Sequence, residues 1–235
     1  MKQLKKAIQF IKRTLTKPEG LEMDSVKPVS EFFGFDRGTP IDRYYIEHFL
    51  EQQKKFIKGV VLEISDDTYI KKFGNQVTEY EVLHFTEGNP KATIVGDLSK
   101  PETLPSNKVD CFICTQTFNF IYNFKDAIKG AYYILKPGGY LLATVAGISQ
   151  ISAYDFERWG DYWRFTTLSA QKVFGEVFGI ENVEVNSFGN CLTAISFLRG
   201  ISAEEISTEK LSVTDNNYQL VITIIAKKIE SSPLL

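Results

Sequence analysis

Cysteine and histidine are scarce in this chain, three and two among 235 residues. So small and odd a cysteine count excludes the disulfide-stapled secreted frameworks. His48 and His84 have no Cys or His company at ligand spacing, so no metal site is expected. Cys111 and Cys114 do form a C-x-x-C, but inside Val109-Asp-Cys-Phe-Ile-Cys114, which reads as a strand. Residues three apart on a strand point to opposite faces, so core packing is expected rather than chelation or redox pairing. Neither sign of charge dominates: 27 Lys and Arg against 29 Asp and Glu leave a net charge of −2. That gives no reason to expect a nucleic acid partner. No apolar run approaches the ~20 residues of a membrane-spanning helix, and no signal-peptide pattern is visible. A cytoplasmic location is expected.

What is present is an ordinary globular composition, 43% hydrophobic and 24% charged, of a size for one domain with appendages. Residues 1–17 hold Lys2, Lys5, Lys6, Lys12, Arg13 and Lys17 and no acid, with Leu4, Ile8, Ile11 and Leu15 on one helical face. Such a helix can lie on an anionic membrane surface, cap a domain or pack in a homodimer; packing is the commoner fate. Residues 18–40, with Pro18, Gly20, Pro28, Gly34, Gly38 and Pro40, read as a connecting segment, and 41–50 as an amphipathic helix. From residue 60 onward short apolar runs alternate with helical patterns. Strands are expected at 60–64, 77–82, 92–95, 110–115, 140–145, 183–185 and 220–226, and helices at 69–73 and 124–135. Lys136-Pro-Gly-Gly139 reads as a turn. The expected fold is α/β: a doubly wound, Rossmann-like sheet of about seven mostly parallel strands with an N-terminal helical extension. A boundary near residue 50 separates that extension or lid, 1–50, from an α/β domain, 51–235, with an insertion around 149–170.

Acidic residues fall at the ends of three successive expected strands, Glu63, Glu81 and Asp97, where open α/β sheets bind ligands. Val109-Asp-Cys-Phe-Ile-Cys-Thr-Gln-Thr-Phe118 and Ile134-Leu-Lys-Pro-Gly-Gly-Tyr-Leu-Leu142 follow. Over residues 58–148 this series resembles the class I S-adenosylmethionine-dependent methyltransferases, in a glycine-poor subgroup of polysaccharide or secondary-metabolite type. The resemblance implies S-adenosylmethionine as cofactor and S-adenosylhomocysteine as product. It implies Glu63 near the methionine portion, Glu81 on the ribose hydroxyls, Asp97 and Leu98 at the adenine, and Thr115 and Gln116 beneath the methionine. A carboxylate suits the ribose because it accepts two hydrogen bonds at once.

The glycines of the family's acid-x-Gly-x-Gly-x-Gly turn are absent; Ser65, Asp67 and Tyr69 stand there instead. Asp66 and Asp67 would repel the pyrophosphate of a dinucleotide. S-adenosylmethionine carries no phosphate, and its ammonium and sulfonium tolerate carboxylates. A pocket rebuilt around Ser65, Asp66 and Asp67 is therefore expected, with one of the three capping the next helix. Tyr69 has a ring large enough to fill the methionine space.

Tyr154-Asp-Phe-Glu-Arg-Trp-Gly-Asp-Tyr-Trp-Arg-Phe165 crowds both tryptophans into the insertion. Trp159, Trp163 and Arg164 suit a sugar or anionic sugar derivative; a satellite core is the competing reading. Arg37, Arg43 and Tyr44 are candidate acceptor contacts, though ion pairs with Asp36 and Asp42 also explain the arginines. A hydroxyl acceptor needs a base, for which Asp161 is the first candidate, with His48 and His84 behind it. The expected function is methyl transfer to a hydroxyl of a small polar acceptor, such as a sugar or sugar nucleotide in polysaccharide biosynthesis. The alternative is a non-catalytic binding or scaffold protein with a degenerate cofactor loop.

Overall fold

The computed structural model describes residues 2–15 and 25–229. Lys17 and the first part of the expected connecting segment, residues 18–24, lie outside the described residues. Seven strands form one sheet in the order β3-β2-β1-β4-β5-β7-β6. They are β1 Gly59–Ile64, β2 Val77–His84, β3 Ile94–Val95, β4 Val109–Thr115, β5 Leu135–Ala146, β6 Val183–Phe188 and β7 Val221–Lys227. The pairs β1·β2, β1·β4, β2·β3 and β4·β5 are parallel. Gly138 N–H bonds to Lys228 O and Lys228 N–H returns to Gly139 O, so β7 runs against β5. The helices are α1 Lys2–Leu15, α2 Ile41–Gln52, α3 Thr68–Phe73, α4 Phe124–Ile134, α5 Ala153–Arg158, α6 Thr167–Phe178, α7 Cys191–Leu198 and α8 Thr208–Ser212. No helix among the described residues is long and apolar enough to cross a membrane.

The doubly wound sheet expected from the alternation is present. Its central strands are apolar on both faces, as β4 shows with Val109, Cys111, Phe112, Ile113 and Cys114 all fully buried. Both thiols stay reduced and packed, and burial pushes Cys114 up to about 12. Several boundaries differ from expectation: β3 begins at Ile94 rather than at residue 92, β6 runs on to Phe188, and two further differences have a visible cause. Lys136–Gly139 lies within β5, where pairing steps from Val109↔Leu135 to Cys111↔Tyr140; the four residues bulge rather than end the strand. β2 runs two residues beyond Val82, because Leu83 and His84 pair with Ile94 and Val95 of β3.

The chain divides into two compact units. The first holds residues 1–47, 148–150 and 187–221; the second holds 48–147, 151–186 and 222–235. In the second, α4 and α6 cover the sheet through Ala127, Ile128, Ala131, Ala170 and Phe174. Gly130 lets α4 press against the Leu98 carbonyl, which a β-carbon there would meet at 2.0 Å. In the first, Arg37 is buried, its fork closed on Glu205 at 3.0 and 2.5 Å, while Ser202 caps the same carboxylate.

Candidate functional site

The order of strands reverses between β1 and β4, one leading toward β2 and the other toward β5. A crevice opens at such a switch point beyond the carboxyl ends of the strands. Here the β1·β4 register ends at Glu63↔Ile113, and each strand then leaves the sheet through a residue at positive φ. These are Ser65 at 67° after β1 and Gln116 at 48° after β4, neither of them glycine. Side chains seldom adopt that region, and positions held there cluster at functional sites, although Phe33, Gln76 and Asn107 adopt it elsewhere in this chain.

At the β1 exit, Glu63 turns into the first turn of α3 and accepts from the amides of Tyr69, at 3.0 and 3.1 Å, and Ile70, at 2.9 Å. Burial pushes its carboxyl up to about 7, against those amide bonds and with help from the charges of Asp66 and Asp67. Asp66 accepts from Thr68 N–H at 3.0 Å, so the expected cap comes from this aspartate, with Glu63 completing it from the strand. Asp67 pairs with Lys71 at 2.6 Å and Lys91 at 3.4 Å, and Lys71 foremost holds it below the usual carboxylate range. Asn89 fastens the Ser65 carbonyl at 2.7 Å. The turn is thus glycine-free but fully tied. Tyr69 is buried in α3 against Phe73.

Glu81 does not stand at a strand end. β2 continues to His84, and the carboxylate lies three residues short of the exit, bonded by Thr93 and ion-paired with Lys108 at 2.8 Å. Burial opposes ionisation, but Lys108 and Thr93 hold it below the usual range. The residue at the β2 exit is His84. Its Nδ1 lies 2.7 Å from the Thr86 carbonyl and 3.3 Å from the Thr86 N–H, so Thr86 holds the ring through that nitrogen and leaves Nε2 to face outward contacts. Trp159 stands edge-on to both His84 and Phe85, at 6.1 and 6.3 Å between centroids. Asp97 is at the β3 exit as expected, its carboxylate closing a turn onto Ser99 N–H at 2.9 Å, with Leu98 buried beside it.

At the β4 exit, Gln116 N–H donates to the Thr144 carbonyl at 2.8 Å, while its side-chain Nε2 is buried without a hydrogen-bond partner among the described residues. Asn119, buried in the next turn, likewise has an unpartnered Oδ1. Its carbonyl accepts from Tyr162 and Trp163 N–H at 3.0 and 3.2 Å and so anchors the aromatic insertion to this exit. Sequence reasoning missed Asn119, since no spacing marks an asparagine that works through its main chain.

The insertion itself splits. Trp163 packs on Phe124 and bonds Tyr122 O at 3.1 Å, and Phe165 is core, as the satellite reading expected. Trp159 and Tyr162 stay exposed. The Asp161 side chain is 1% exposed, clasped by Arg164 at 2.5 and 2.9 Å and by Ser152 N–H at 3.1 Å. Burial opposes its charge, yet Arg164 and Ser152 hold it below the usual range, a poor setting for a base. Asp161 and Arg164 therefore fix the loop. His48 is exposed on α2, 2.9 Å from Gln52 Nε2. In the first unit Arg37 is closed on Glu205 rather than Asp36, Arg43 lies 5.0 Å over the Phe35 ring, and Tyr44 meets Tyr45 edge-on. Among the described residues no cluster of three His, Cys, Asp or Glu is arranged to hold a metal.

Residues 48–143 match the family described as Methyltransferase domain. No curated protein matches the chain in sequence. Among solved structures, an S-adenosylmethionine-dependent methyltransferase from Archaeoglobus fulgidus superposes with a TM-score of 0.50 at 15% identity, over 79% of this chain and 94% of its own. A Haloferax volcanii methyltransferase, seen in complex with the Trm112 methyltransferase activator, gives 0.52 at 15%, over 80% and 92%. The [4+2]-cyclase SpnF gives 0.50 at 11%, over 82% and 83%. The last is a reminder that one fold carries several chemistries. The matched stretch runs from α2 into β5 and takes in the strand exits described above, so the site falls within the segment similar to that family, on a sheet with the fold of the S-adenosylmethionine-dependent methyltransferases.

Proposed function

We propose that this chain transfers the methyl group of S-adenosylmethionine to a hydroxyl of a small polar acceptor, such as a sugar or sugar nucleotide: the oxygen–carbon bond forms as the carbon–sulfur bond breaks, leaving S-adenosylhomocysteine, and the hydroxyl proton passes to solvent water. The observation that supports this best is the pair of strained exits at the switch point, Ser65 and Gln116, together with the buried Gln116 amide nitrogen that has no partner among the described residues. A buried donor with no partner is costly, so a ligand acceptor such as a carboxylate is what it awaits.

When bound, the cofactor supplies an electrophilic methyl on a sulfonium. Gln116 Nε2 and the Thr115 exit hold its carboxylate end. Glu63, with no cation of its own beside it, and the Ser65–Asp67 turn face its ammonium. His84 Nε2 accepts from one ribose hydroxyl, and Asp97 and Leu98 border the adenine. Trp159, exposed over the β2 exit, is the aromatic face for a sugar ring. Because the sulfonium charge disappears during transfer, a water-poor site favours the reaction, and alignment of the hydroxyl oxygen with the methyl carbon supplies most of the rate.

Calorimetric titration with S-adenosylmethionine and S-adenosylhomocysteine tests the reading. Micromolar binding is expected in the wild type, weakened at least about tenfold in Gln116→Leu. No heat at about 1 mM of either ligand, a free energy near −4 kcal/mol, overturns it. The domain would then be a binding or scaffold protein, as its glycine-free turn alone suggests. Radiolabelled methyl incorporation into sugar nucleotides checks the acceptor class.

A further inference from the structure

Helix α1 is attached to its own unit by its polar face. Gln9 donates to the Phe35 carbonyl at 3.0 Å, Lys12 pairs with Asp36 at 3.3 Å, and Arg13 donates to the Arg37 carbonyl at 2.6 Å. Positions 9, 12 and 13 share one side of the helix, and 4, 8, 11 and 15 share the other. The apolar side therefore faces out: Leu4 is 68% exposed, Ile8 49%, Ile11 53% and Leu15 78%. An amphipathic helix of a globular protein normally buries that stripe. Packing onto the domain, the commoner fate of such a helix, is thus what the polar side does here, and the apolar side is left for something else.

We propose that α1 is a docking helix for an anionic lipid surface. Charge selects this occupant. Six of the chain's 27 Lys and Arg fall in residues 1–17 without one acid, leaving 21 cations to face 29 acids in the rest. A second copy seated stripe on stripe brings two such cationic helices together, over only four large apolar side chains each. That seam is short of the roughly 1,200 Å² a stable interface needs. An anionic bilayer accepts both halves of the helix: the stripe enters the headgroup–acyl boundary and the flanking lysines meet lipid phosphates. Lys6 is exposed, and Lys12 keeps half of its side chain in solvent despite its pair with Asp36. At 14 residues the helix is too short to span a membrane and must lie in its plane.

The test is co-sedimentation of the full chain with vesicles of phosphatidylcholine containing about 30% phosphatidylglycerol, against phosphatidylcholine alone. Binding to the anionic vesicles is expected to be at least about tenfold tighter, and to fall when salt is raised from about 0.15 to about 0.5 M. Ile8→Asp/Ile11→Asp should lose at least about tenfold in binding with an unchanged circular dichroism spectrum and melting temperature, since both positions are about half exposed. Lys5→Glu/Lys6→Glu should lose the preference for anionic lipid. Absence of vesicle binding, equal binding to both compositions, or binding untouched by both variants overturns the proposal. So does a lipid-free dimer that Ile8→Asp/Ile11→Asp turns into a monomer, which would assign the stripe to a second copy.

Discussion

The exit of β1 and the interior of β2 lie side by side in one sheet, and each buries a glutamate. Glu63 is 4% exposed and Glu81 5%. Glu63 has only backbone amides around its oxygens, and burial pushes it up to about 7. Glu81 is as little exposed but lies less deep, and although burial opposes its charge too, the Lys108 ammonium at 2.8 Å and the Thr93 hydroxyl bring it below the usual range. Three amide contacts therefore do not offset desolvation where one full cation and a hydroxyl do. The interior of β2 carries its own countercharge and is complete. At the β1 exit Lys71 and Lys91 go to Asp67, and among the described residues no cation pairs with Glu63, where a ligand's ammonium is expected.

The largest effect that can break this comparison is in stability against pH. Glu63 has a folded value near 7 and an ordinary value of 4.5. Between these the unfolded chain has released its proton while the folded chain retains it, so stability falls as pH rises through that window. The full loss is about 3 kcal/mol, from 1.36 kcal/mol per unit. Glu63→Gln removes it. Urea unfolding should show the variant gaining up to about 3 kcal/mol on wild type between pH 4 and pH 8. Identical pH slopes for the two proteins would mean that Glu63 ionises in the fold as it does in the unfolded chain.

A second test separates exit from interior by cofactor affinity. His84→Ala should weaken S-adenosylmethionine binding about tenfold, the worth of roughly one hydrogen bond of 1–1.5 kcal/mol. Glu81→Gln should leave affinity within about twofold and lower the melting temperature instead, since Lys108 loses its charged partner. The opposite pattern would return the ribose to Glu81 and make His84 a bystander.

Why sequence alone put Glu81 at the end of β2 is instructive. The apolar runs of β1, β4 and β5 announce themselves, and the sheet was legible from them. The end of β2 is set by β3: Leu83 and His84 stay extended because Ile94 and Val95 pair with them, eleven residues downstream. A local pattern holds no trace of that pairing, so the strand seemed to stop at Val82. Similarly, Pro137-Gly138-Gly139 carries every mark of a turn, and only its neighbours on β4 and β7 keep it inside β5. The acids at 63 and 97 were placed at their strand exits because those strands end where their apolar runs end. Arg37 finds Glu205 across 168 residues, which no spacing rule reaches. Asp161 and Arg164 clasp each other three residues apart, a pairing their spacing allows but that reading one as a base and the other as an acceptor contact did not draw.

The smallest effect concerns the strain itself. Ser65 sits at φ 67°, a conformation glycine adopts freely and serine does not. Ser65→Gly relieves that cost but gives the unfolded chain more freedom, so the net gain should be only about 0.5 kcal/mol. The measurement that matters is what accompanies it. A turn tied by Asn89, Asp66 and Asp67 should keep its shape without the serine side chain, and cofactor affinity should then fall no more than about threefold through lost rigidity. Were the variant less stable than wild type, the serine hydroxyl rather than the hydrogen-bonded frame would be holding the exit open. The contrast with the self-sufficient interior of β2 would then rest on one side chain.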